Sequence, residues 1–201
     1  MKVIVMSHMF PNKVLPNSGI FVKERIKHIA SKVNIVMVAP VPIFPMLSIA
    51  GKYKGINEIE KVENFEGLYV LHPRYFLIPR YCKYFDGYLY YCSLNSFIKK
   101  QFLQNDFDLF DFHWVYPDAF AGLRWARKFN KKIVVTIRGN ESICYFENSL
   151  RKKMVINTLK SVDHIIAVSN DMKQKVAGEY GVEHSKITVI PNGIEPQDFY
   201  M

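Results

Sequence analysis

The stretch Val162-Asp-His-Ile-Ile-Ala-Val-Ser169 places an apolar run directly before a serine, and a helical pattern follows it. In that pattern Met172, Val176 and Tyr180 fall on one stripe, as the core-facing residues of a helix do. The Ser169 hydroxyl is suited to cap the free backbone N–H groups at the start of this helix. A further apolar run, Ile187 to Ile190, comes after the helix. This order of strand, cap, helix and strand is typical of parallel strands joined by a crossover helix.

The same alternation runs along the rest of the chain. Near the N-terminus a second helical stripe is formed by Val22, Ile26, Ile29 and Val33. Apolar runs of strand length recur at Val3–Met6, Ile35–Ala39, Leu68–Leu71, Leu109–Phe112, Ile133–Ile137, Ile165–Val168 and Ile187–Ile190. The runs are continuous, which suits strands covered on both faces. The sequence therefore predicts a doubly wound α/β domain with a mainly parallel sheet of about six or seven strands.

Three regions depart from the alternation. The segment from Pro40 to Gly67 holds prolines and glycines and is predicted to be a long loop. The segment from Tyr75 to Phe102 is dense in aromatic and basic residues, and both segments are candidates for function. Residues 191–201 are rich in turn-forming residues, so we expect one domain over residues 1–190 and the start of a linker after it.

Composition narrows the class of protein. The 201 residues are 49% hydrophobic, enough for one substantial core. No apolar run reaches the roughly 18 residues of a membrane-spanning helix, and the first residues lack a signal-peptide pattern, so we expect a cytoplasmic protein. The three cysteines form no pair or cluster with metal-ligand spacing, so a zinc or redox role is not expected, and we expect no cofactor. The net charge of +9 predicts a surface that attracts anions.

The residues that follow the strands are the candidate ligand contacts, because open α/β sheets bind ligands beyond the carboxyl ends of their strands. Gly19, at a helix start after the first strand, permits close approach of a phosphate to the backbone. His113 can donate to a sugar hydroxyl or carry a proton. Arg138 offers a forked donor to phosphate, Gly139 opens space, and Glu141 can accept from sugar hydroxyls.

Each of these residues also has a purely structural interpretation. Gly19 can serve as a turn residue, His113 as a histidine at the edge of the core, and Arg138 with Glu141 as an ion pair. The loop around Gly19 is neither a dinucleotide fingerprint nor a P-loop.

The segment from His72 to Phe85 interleaves basic and aromatic residues. Tyr75 could enter the headgroup layer of a membrane while Arg74, Arg80 and Lys83 meet anionic lipid or an acceptor. A buried loop of the core is the alternative. The same composition could bind single-stranded nucleic acid, but no nucleic-acid motif accompanies it, so no nucleic-acid partner is expected.

Taken together and in order, the motifs resemble family 4 glycosyltransferases of the GT-B class. Val162–Ser169 matches the "AD-x-I-I-AVS" pattern at the end of their N-terminal domain, and Lys186–Glu195 matches "K-I-x-VIPNG-I/V-D". The upstream stretches "FP…P…GIFV", "HWVYPDAFAG" and "VVTIRGNE" are similar to the branch that includes teichuronic-acid and capsular polysaccharide glycosyltransferases. The resemblance covers the whole chain.

This resemblance implies one half of a GT-B fold, the acceptor-side domain. The family transfers a sugar from a nucleotide-sugar donor to a glycan or lipid-linked acceptor, with retention and without a metal. By the resemblance, Gly19 lies near the donor pyrophosphate, His113 is the candidate catalytic contact to the transferred sugar, and Arg138, Gly139 and Glu141 line the cleft. Other branches often carry histidine where Arg138 stands.

By the resemblance, the family's phosphate clamp and its E-x7-E donor motif belong to a C-terminal domain, whereas the motifs matched here are those of the N-terminal domain. The chain alone is therefore expected to be inactive, and to need a donor-binding domain in cis or in trans. The alternative is a non-catalytic module that binds an acceptor or an anionic membrane. Both interpretations are compatible with a peripheral location on the inner face of the cell membrane. An E-x7-E motif in a following domain would favour the enzyme.

Overall fold

The computed structural model describes residues 1–44, 53–65, 67–78, 83–139 and 149–193. Within these residues the strands are β1 (Lys2–Met6), β2 (Asn34–Val38), β3 (Val41–Ile43), β4 (Val62–Phe65), β5 (Leu68–Leu71), β6 (Arg74–Phe76), β7 (Leu109–Phe112), β8 (Lys132–Ile137), β9 (His164–Ala167) and β10 (Ile187–Val189). The α-helices are α1 (Ile20–Ala30), α2 (Asp86–Gln104), α3 (Phe120–Phe129), α4 (Ser149–Ser161) and α5 (Asn170–Tyr180).

Eight of the described strands form one sheet in the order β10-β9-β8-β7-β1-β2-β5-β4. The seven strands predicted from the apolar runs are all present in it, and every pair among them is parallel. Only β4 runs antiparallel, beside β5 at the edge. The predicted Rossmann-like α/β fold is therefore confirmed, with one strand more than expected.

Helices cover both faces of the sheet, as the continuous apolar strands require. Successive residues of β1 show this, because Val3 and Val5 pack in one buried cluster while Ile4 and Met6 pack in another. The first cluster includes Val22 of α1, and the second includes buried residues of α2, α3, α4 and α5. Strands buried on both faces cannot alternate apolar with polar residues, which explains the sequence pattern.

The last crossover helix begins at the predicted cap and carries the predicted stripe. Ser169 lies at the N-cap of α5, where its Oγ accepts a hydrogen bond of 3.2 Å from the backbone N–H of Met172. Met172, Val176 and Tyr180 are all buried. Gly181 ends the helix in the left-handed conformation, with φ of 61°. The start of this helix was therefore predicted from the local sequence, whereas its end at Gly181 was not.

The prediction of a long loop from Pro40 to Gly67 was wrong in part. The segment contains the short strands β3 and β4, and Gly67 forms the turn of the β4–β5 hairpin with φ of 89°. β3 pairs with β6 in a separate two-stranded sheet. Both strands are only three or four residues long, and the partner of β3 is distant in sequence, so a periodicity search does not find them. The part over residues 45–52 lies outside the described residues.

The segment from Tyr75 to Phe102 is mostly helical, because α2 occupies its second half. Where the structure describes the chain, none of the helices combines the length and the apolar character needed to cross a membrane.

Candidate active site at the carboxyl edge of the sheet

The direction of strand addition reverses at β1, which pairs with β2 on one side and with β7 on the other. A reversal of this kind leaves a crevice beyond the carboxyl ends of the two central strands. Ser7 and His8 follow β1, and His113 follows β7. The backbone N–H of His113 donates to the carbonyl of Met6 over 3.2 Å, so the two strand ends are in direct contact.

His113 and Arg138 meet at this edge, as predicted from their positions after neighbouring strands. The distance from Arg138 Nη2 to His113 Nδ1 is 3.3 Å. The other terminal nitrogen of Arg138, Nη1, donates to Oδ1 of Asn192, which follows β10. Arg138 therefore connects the ends of β7, β8 and β10, and residues 25 to 79 apart in sequence form one polar cluster.

Burial and like charges set the protonation of this cluster. Burial raises the pKa of Asp111 to about 6, against the opposing effect of Arg25 and Arg138. Burial, then the charges of Arg138 and Arg25, lower the pKa of His113 well below its usual value. Burial, then Arg25, lower the pKa of Arg138 to about 10, so it stays charged near neutral pH. Near neutral pH the cluster thus combines a neutral imidazole, two cations and the Asp111 carboxylate, and the net positive charge favours anionic ligands.

The His113 side chain lies beneath the surface of the cleft, with none of its area exposed. Its Nδ1 faces Arg138, and its Nε2 is buried, makes no hydrogen bond within the described residues and lies 3.7 Å from Oδ2 of Asp111. Because the imidazole is neutral, this is not an ion pair. The half-buried Arg138 therefore lies directly beside a fully buried His113.

Gly19 satisfies a demanding structural requirement at the start of α1. Its φ is 69°, and a Cβ atom added there would stand 2.3 Å from the carbonyl oxygen of Met9. Only glycine fits that left-handed conformation and that close approach. The turn interpretation is thus sufficient to explain the residue, and proximity to a phosphate stays a prediction.

The remaining predicted cleft residues are described only in part. Gly139 directly follows Arg138 and is half-buried. Glu141 lies outside the described residues, as does Arg80 of the basic and aromatic segment.

The basic and aromatic segment does not present Tyr75 to the surface. Its ring is 5% exposed and packs edge-on against Tyr90, with 4.8 Å between ring centroids. Arg74 donates to the carbonyl of Ile59, and Lys83 donates to the carbonyl of Ile78 while pairing with Asp86 at 3.4 Å. The prediction that Tyr75 enters a membrane was wrong, because β6 pairs with β3 and turns this ring into the core.

The sequence analysis missed a second polar cluster at the end of β1. His8 Nδ1 is hydrogen-bonded to Oδ2 of Asp118, and the Oδ1 of the same carboxylate accepts from the His8 backbone N–H over 3.2 Å and from the Tyr90 hydroxyl. Asp118 has no exposed side-chain area, whereas His8 is 22% exposed. The three residues come from distant parts of the chain, so the only available signal was the position of His8 after a strand.

Two cavities open near the same edge. The first cavity, of about 490 Å³, is lined by His8, by the loop after β1, and by residues within and next to β3 and β6. The other, of about 500 Å³, lies between α1 and residues 190–193, with Arg25 and Asn192 in its wall. The polar clusters of His8 and of Arg138 therefore each adjoin a space large enough for part of a small ligand.

Solved structures with the same fold include UDP-GlcNAc 2-epimerase from Methanocaldococcus jannaschii, HepE from Anabaena in complex with UDP-glucose, and UGT89C1 from Arabidopsis thaliana complexed with UDP. Their TM-scores are 0.58, 0.57 and 0.54, at 16%, 15% and 12% sequence identity. They match 96%, 98% and 99% of this chain, which spans 46%, 47% and 55% of their own lengths. The likeness establishes the fold, and the chain spans about half of each protein.

No curated protein sequence matches this chain significantly. The sequence model of Glycosyltransferase Family 4 matches residues 51–198, which is well over half of the chain. That range contains the ends of β7 and β8 and the turn after β10, the three places that Arg138 connects. The chain thus belongs to Glycosyltransferase Family 4.

Proposed function

We propose that this chain forms the acceptor-side wall of a cleft in which a sugar is transferred from a nucleotide-sugar donor to a glycan or lipid-linked acceptor. The observation that carries the proposal is the cluster of Arg138 and its partners at the carboxyl edge of the sheet, in a chain of this family. Two of the structural neighbours were solved with UDP or UDP-glucose, which is consistent with a nucleotide-sugar ligand. We further propose retention at the anomeric carbon and transfer without a metal, as the family resemblance implies.

In this proposal Arg138 is the residue that meets the donor. A guanidinium can bind two phosphate oxygens at once, and Arg25 adds a second positive charge in the adjoining cavity. His113 acts through Arg138 as a positioning residue, because its neutral ring faces Nη2 and carries no competing charge. In this proposal the role of His113 is indirect, and its contact with the transferred sugar stays a prediction.

A second domain is needed to complete the cleft. The chain spans about half of its structural neighbours, so we propose that a donor-binding domain, in cis or in trans, supplies the opposite wall. Transfer requires donor and acceptor held in aligned geometry while charge develops on the departing diphosphate. One wall alone leaves the donor open to water, so we expect the 201-residue chain by itself to have less than about a hundredth of the complete activity.

The first experiment compares the 201-residue chain with the same chain joined to its donor-binding domain, using a panel of nucleotide sugars and glycan acceptors. We expect transfer only by the joined form, and the anomeric configuration of the product tests retention. Robust transfer by the short chain would refute the two-wall proposal.

The second experiment tests Arg138 in the joined protein. Arg138→Ala is expected to lower kcat/KM for the donor by roughly 10- to 100-fold, because a charged contact to the developing phosphate charge is lost. Lys131→Ala is the matched control, since Lys131 forms a surface ion pair with Asp106 at 2.9 Å near the start of β8. Wild-type kcat/KM in Arg138→Ala would remove the residue from the site.

We also propose a cytoplasmic protein that associates peripherally with an anionic membrane. The exposed rings here are Phe76 and Phe85 of the basic and aromatic segment and Tyr88 in the first turn of α2, and Tyr75 is not among them. Phe76, Phe85 and Tyr88 are 40%, 46% and 41% exposed. A variant of the joined protein in which Phe76, Phe85 and Tyr88 are all changed to serine should bind anionic vesicles less than wild type does in a sedimentation assay. Equal binding would show that these rings do not contact the membrane.

A further inference from the structure

Helices α2, α3 and α4, which together form a basic layer on one face of the sheet, carry most of the net charge of the chain. They contain nine lysines and arginines and a single acidic residue, Asp86, which is buried. Nine positive charges against one negative charge leave +8, where the whole chain has +9. Helix α5 packs on the same face but has two acidic and two basic residues, so the excess of charge ends at α4.

We infer that the basic layer is the surface that rests on an anionic membrane, so that the sheet lies parallel to the lipid surface. The inference rests on the membrane association proposed above. It adds the face of the domain that makes the contact and the direction in which the cleft opens.

The first support is the extent of the charge, which covers both ends of the layer. A crossover helix begins near the carboxyl end of one strand and ends near the amino end of the next. The exposed Lys152 in the first turn of α4 therefore lies toward the carboxyl edge of the sheet. Lys99 on α2 and Lys128 on α3 lie toward the amino edge, where Asn105 after α2 accepts a hydrogen bond from Lys2 at the start of β1.

The second support is the placement of cations from neighbouring helices side by side. The side chain of Lys99 forms a hydrogen bond with that of Lys128, and both residues are exposed. This hydrogen bond, then desolvation and the like charge of Lys99, lower the pKa of Lys128. Two ammonium groups in contact repel each other, and the phosphate groups of a lipid surface would relieve that repulsion. The pair therefore favours a partner with many negative charges.

The third support is the presence of exposed apolar side chains among the cations. Tyr88 in the first turn of α2 is 41% exposed, and Leu103 in its last turn is 88% exposed. Leu150 at the start of α4 is 45% exposed. The guanidinium of Arg124 on α3 stacks on the Tyr88 ring, with 4.8 Å between Cζ and the ring centroid. A lipid interface takes up apolar side chains beside cations, whereas a soluble polyanion has no apolar phase, so lipid is the partner that fits.

Contact along the whole layer fixes the orientation of the cleft. Because the layer covers one face of the sheet, a membrane in contact with it runs parallel to the strands. The carboxyl edge, with Arg138 and its partners, then faces along the lipid surface. An acceptor anchored in the same membrane reaches the cleft from the side. In an upright arrangement, with only the carboxyl end of the layer in contact, Lys99, Leu103 and Lys128 would lie away from the lipid.

The test measures binding of the 201-residue chain to vesicles of phosphatidylcholine mixed with phosphatidylglycerol, with pure phosphatidylcholine as the uncharged reference. Lys99→Gln combined with Lys128→Gln should weaken binding to the mixed vesicles roughly 30-fold, about fivefold for each lysine near an anionic surface. Lys27→Gln combined with Lys32→Gln is the matched control, because it removes two exposed cations at the end of α1, on the opposite face. We expect the control to change the affinity less than about twofold.

The outcomes separate the orientation from the association itself. Wild-type affinity in the Lys99→Gln and Lys128→Gln variant would overturn the flat arrangement, and association through the rings at the carboxyl end would stand. Failure of the wild-type chain to bind mixed vesicles would overturn both the inference and the proposed association. Sugar transfer is not measured in this experiment, so it is decided separately.

A second measurement distinguishes lipid from a soluble polyanion. Leu103→Ser combined with Leu150→Ser should weaken binding to mixed vesicles at least about fivefold, because two apolar side chains no longer enter the interface. The same variant should bind soluble heparin as wild type does. Tyr69→Ser, which changes a ring that is 66% exposed on β5, is the control and should leave vesicle binding unchanged. Wild-type vesicle binding by the double leucine variant would identify a partner recognised by charge alone and would overturn the inference.

Discussion

His8 and His113 follow neighbouring parallel strands and stand at the same edge of the sheet, yet their surroundings differ. His8 is partly exposed, bonded to a buried carboxylate and adjacent to a cavity. His113 is fully buried, faces an arginine and has its pKa lowered well below the usual value. One imidazole is partly exposed beside a cavity, and the other is buried next to a cation.

The difference comes from what other elements contribute at each strand end. The turn over Val115–Ala119 brings Asp118 to His8, and Tyr90 of α2 closes the far side of that carboxylate. Arg138, after β8, covers His113. A position after a strand therefore places a residue at the edge, whereas neighbouring elements decide whether it is available to a ligand.

The largest expected effect is a loss of stability caused by a substitution next to the end of β1. Gly19→Ala puts a Cβ where Met9, next to His8, has its carbonyl oxygen, at a φ of 69°. We expect the free energy of unfolding to fall by roughly 3 kcal/mol from left-handed strain and overpacking. Urea unfolding followed by circular dichroism measures it. Gly178→Ala, at an open position within α5, is the control and should gain about 0.5–1 kcal/mol.

The next effect removes the carboxylate that distinguishes the two histidines. Asp118→Ala leaves the buried Tyr90 hydroxyl and the His8 backbone N–H without their acceptor, so the free energy of unfolding should fall by about 2–3 kcal/mol. Asp106→Ala is the comparison, because that carboxylate is 90% exposed and should cost less than about 1 kcal/mol. Equal losses in the two variants would mean that the buried network contributes nothing beyond a surface pair.

The pH dependence of stability tests the burial of His113, the histidine that follows β7. The pKa of His113 is lower in the folded state, so below pH about 6.5 the unfolded chain binds a proton that the folded chain does not. Its contribution to stability is complete above that pH and is lost as the pH falls. When the pH is lowered from 6.5 to 5, the free energy of unfolding of His113→Gln should therefore fall by up to about 2 kcal/mol less than that of wild type. Parallel stability curves would contradict the burial of a neutral His113.

Asp111 should act in the opposite direction. Its pKa is raised to about 6 by burial, so its contribution to stability is present below its unfolded pKa of about 4 and is lost as the pH rises through 6. Asp111→Asn should flatten this decline between pH 4 and 6, read from the same unfolding curves. A steeper decline in the variant would show that the arginines outweigh burial.

The smallest expected effect is a loss of stability at a helix cap, and it serves as a reference for the substitutions near His8 and His113. Ser169→Ala removes the cap of α5, away from either histidine, and should lower the free energy of unfolding by about 1 kcal/mol. The reactivity of His8 toward diethylpyrocarbonate should stay at the wild-type rate. A change in that rate would mean that general stability, and not the local network, controls access to the ring.

The sequence by itself determined the layers of the fold, the positions of its parallel strands and the start of α5. Continuous apolar runs gave the parallel strands of β1, β2, β5, β7, β8, β9 and β10, because a strand covered on both faces needs apolar residues throughout. Ser169 and the stripe on α5 needed only local contacts to be recognised. Strand-end position also predicted that His113 and Arg138 meet, since parallel strands end at a common edge.

Only the tertiary structure decided which strand-end residues are open. Asp118 is 110 residues from His8, and Tyr90 is 28 from Asp118, so neither partner can be inferred from spacing. The pairing of β3 with β6, which buries Tyr75, is likewise non-local. Periodicity records which face of an element is covered, whereas exposure and protonation depend on atoms that distant segments bring within a few ångströms.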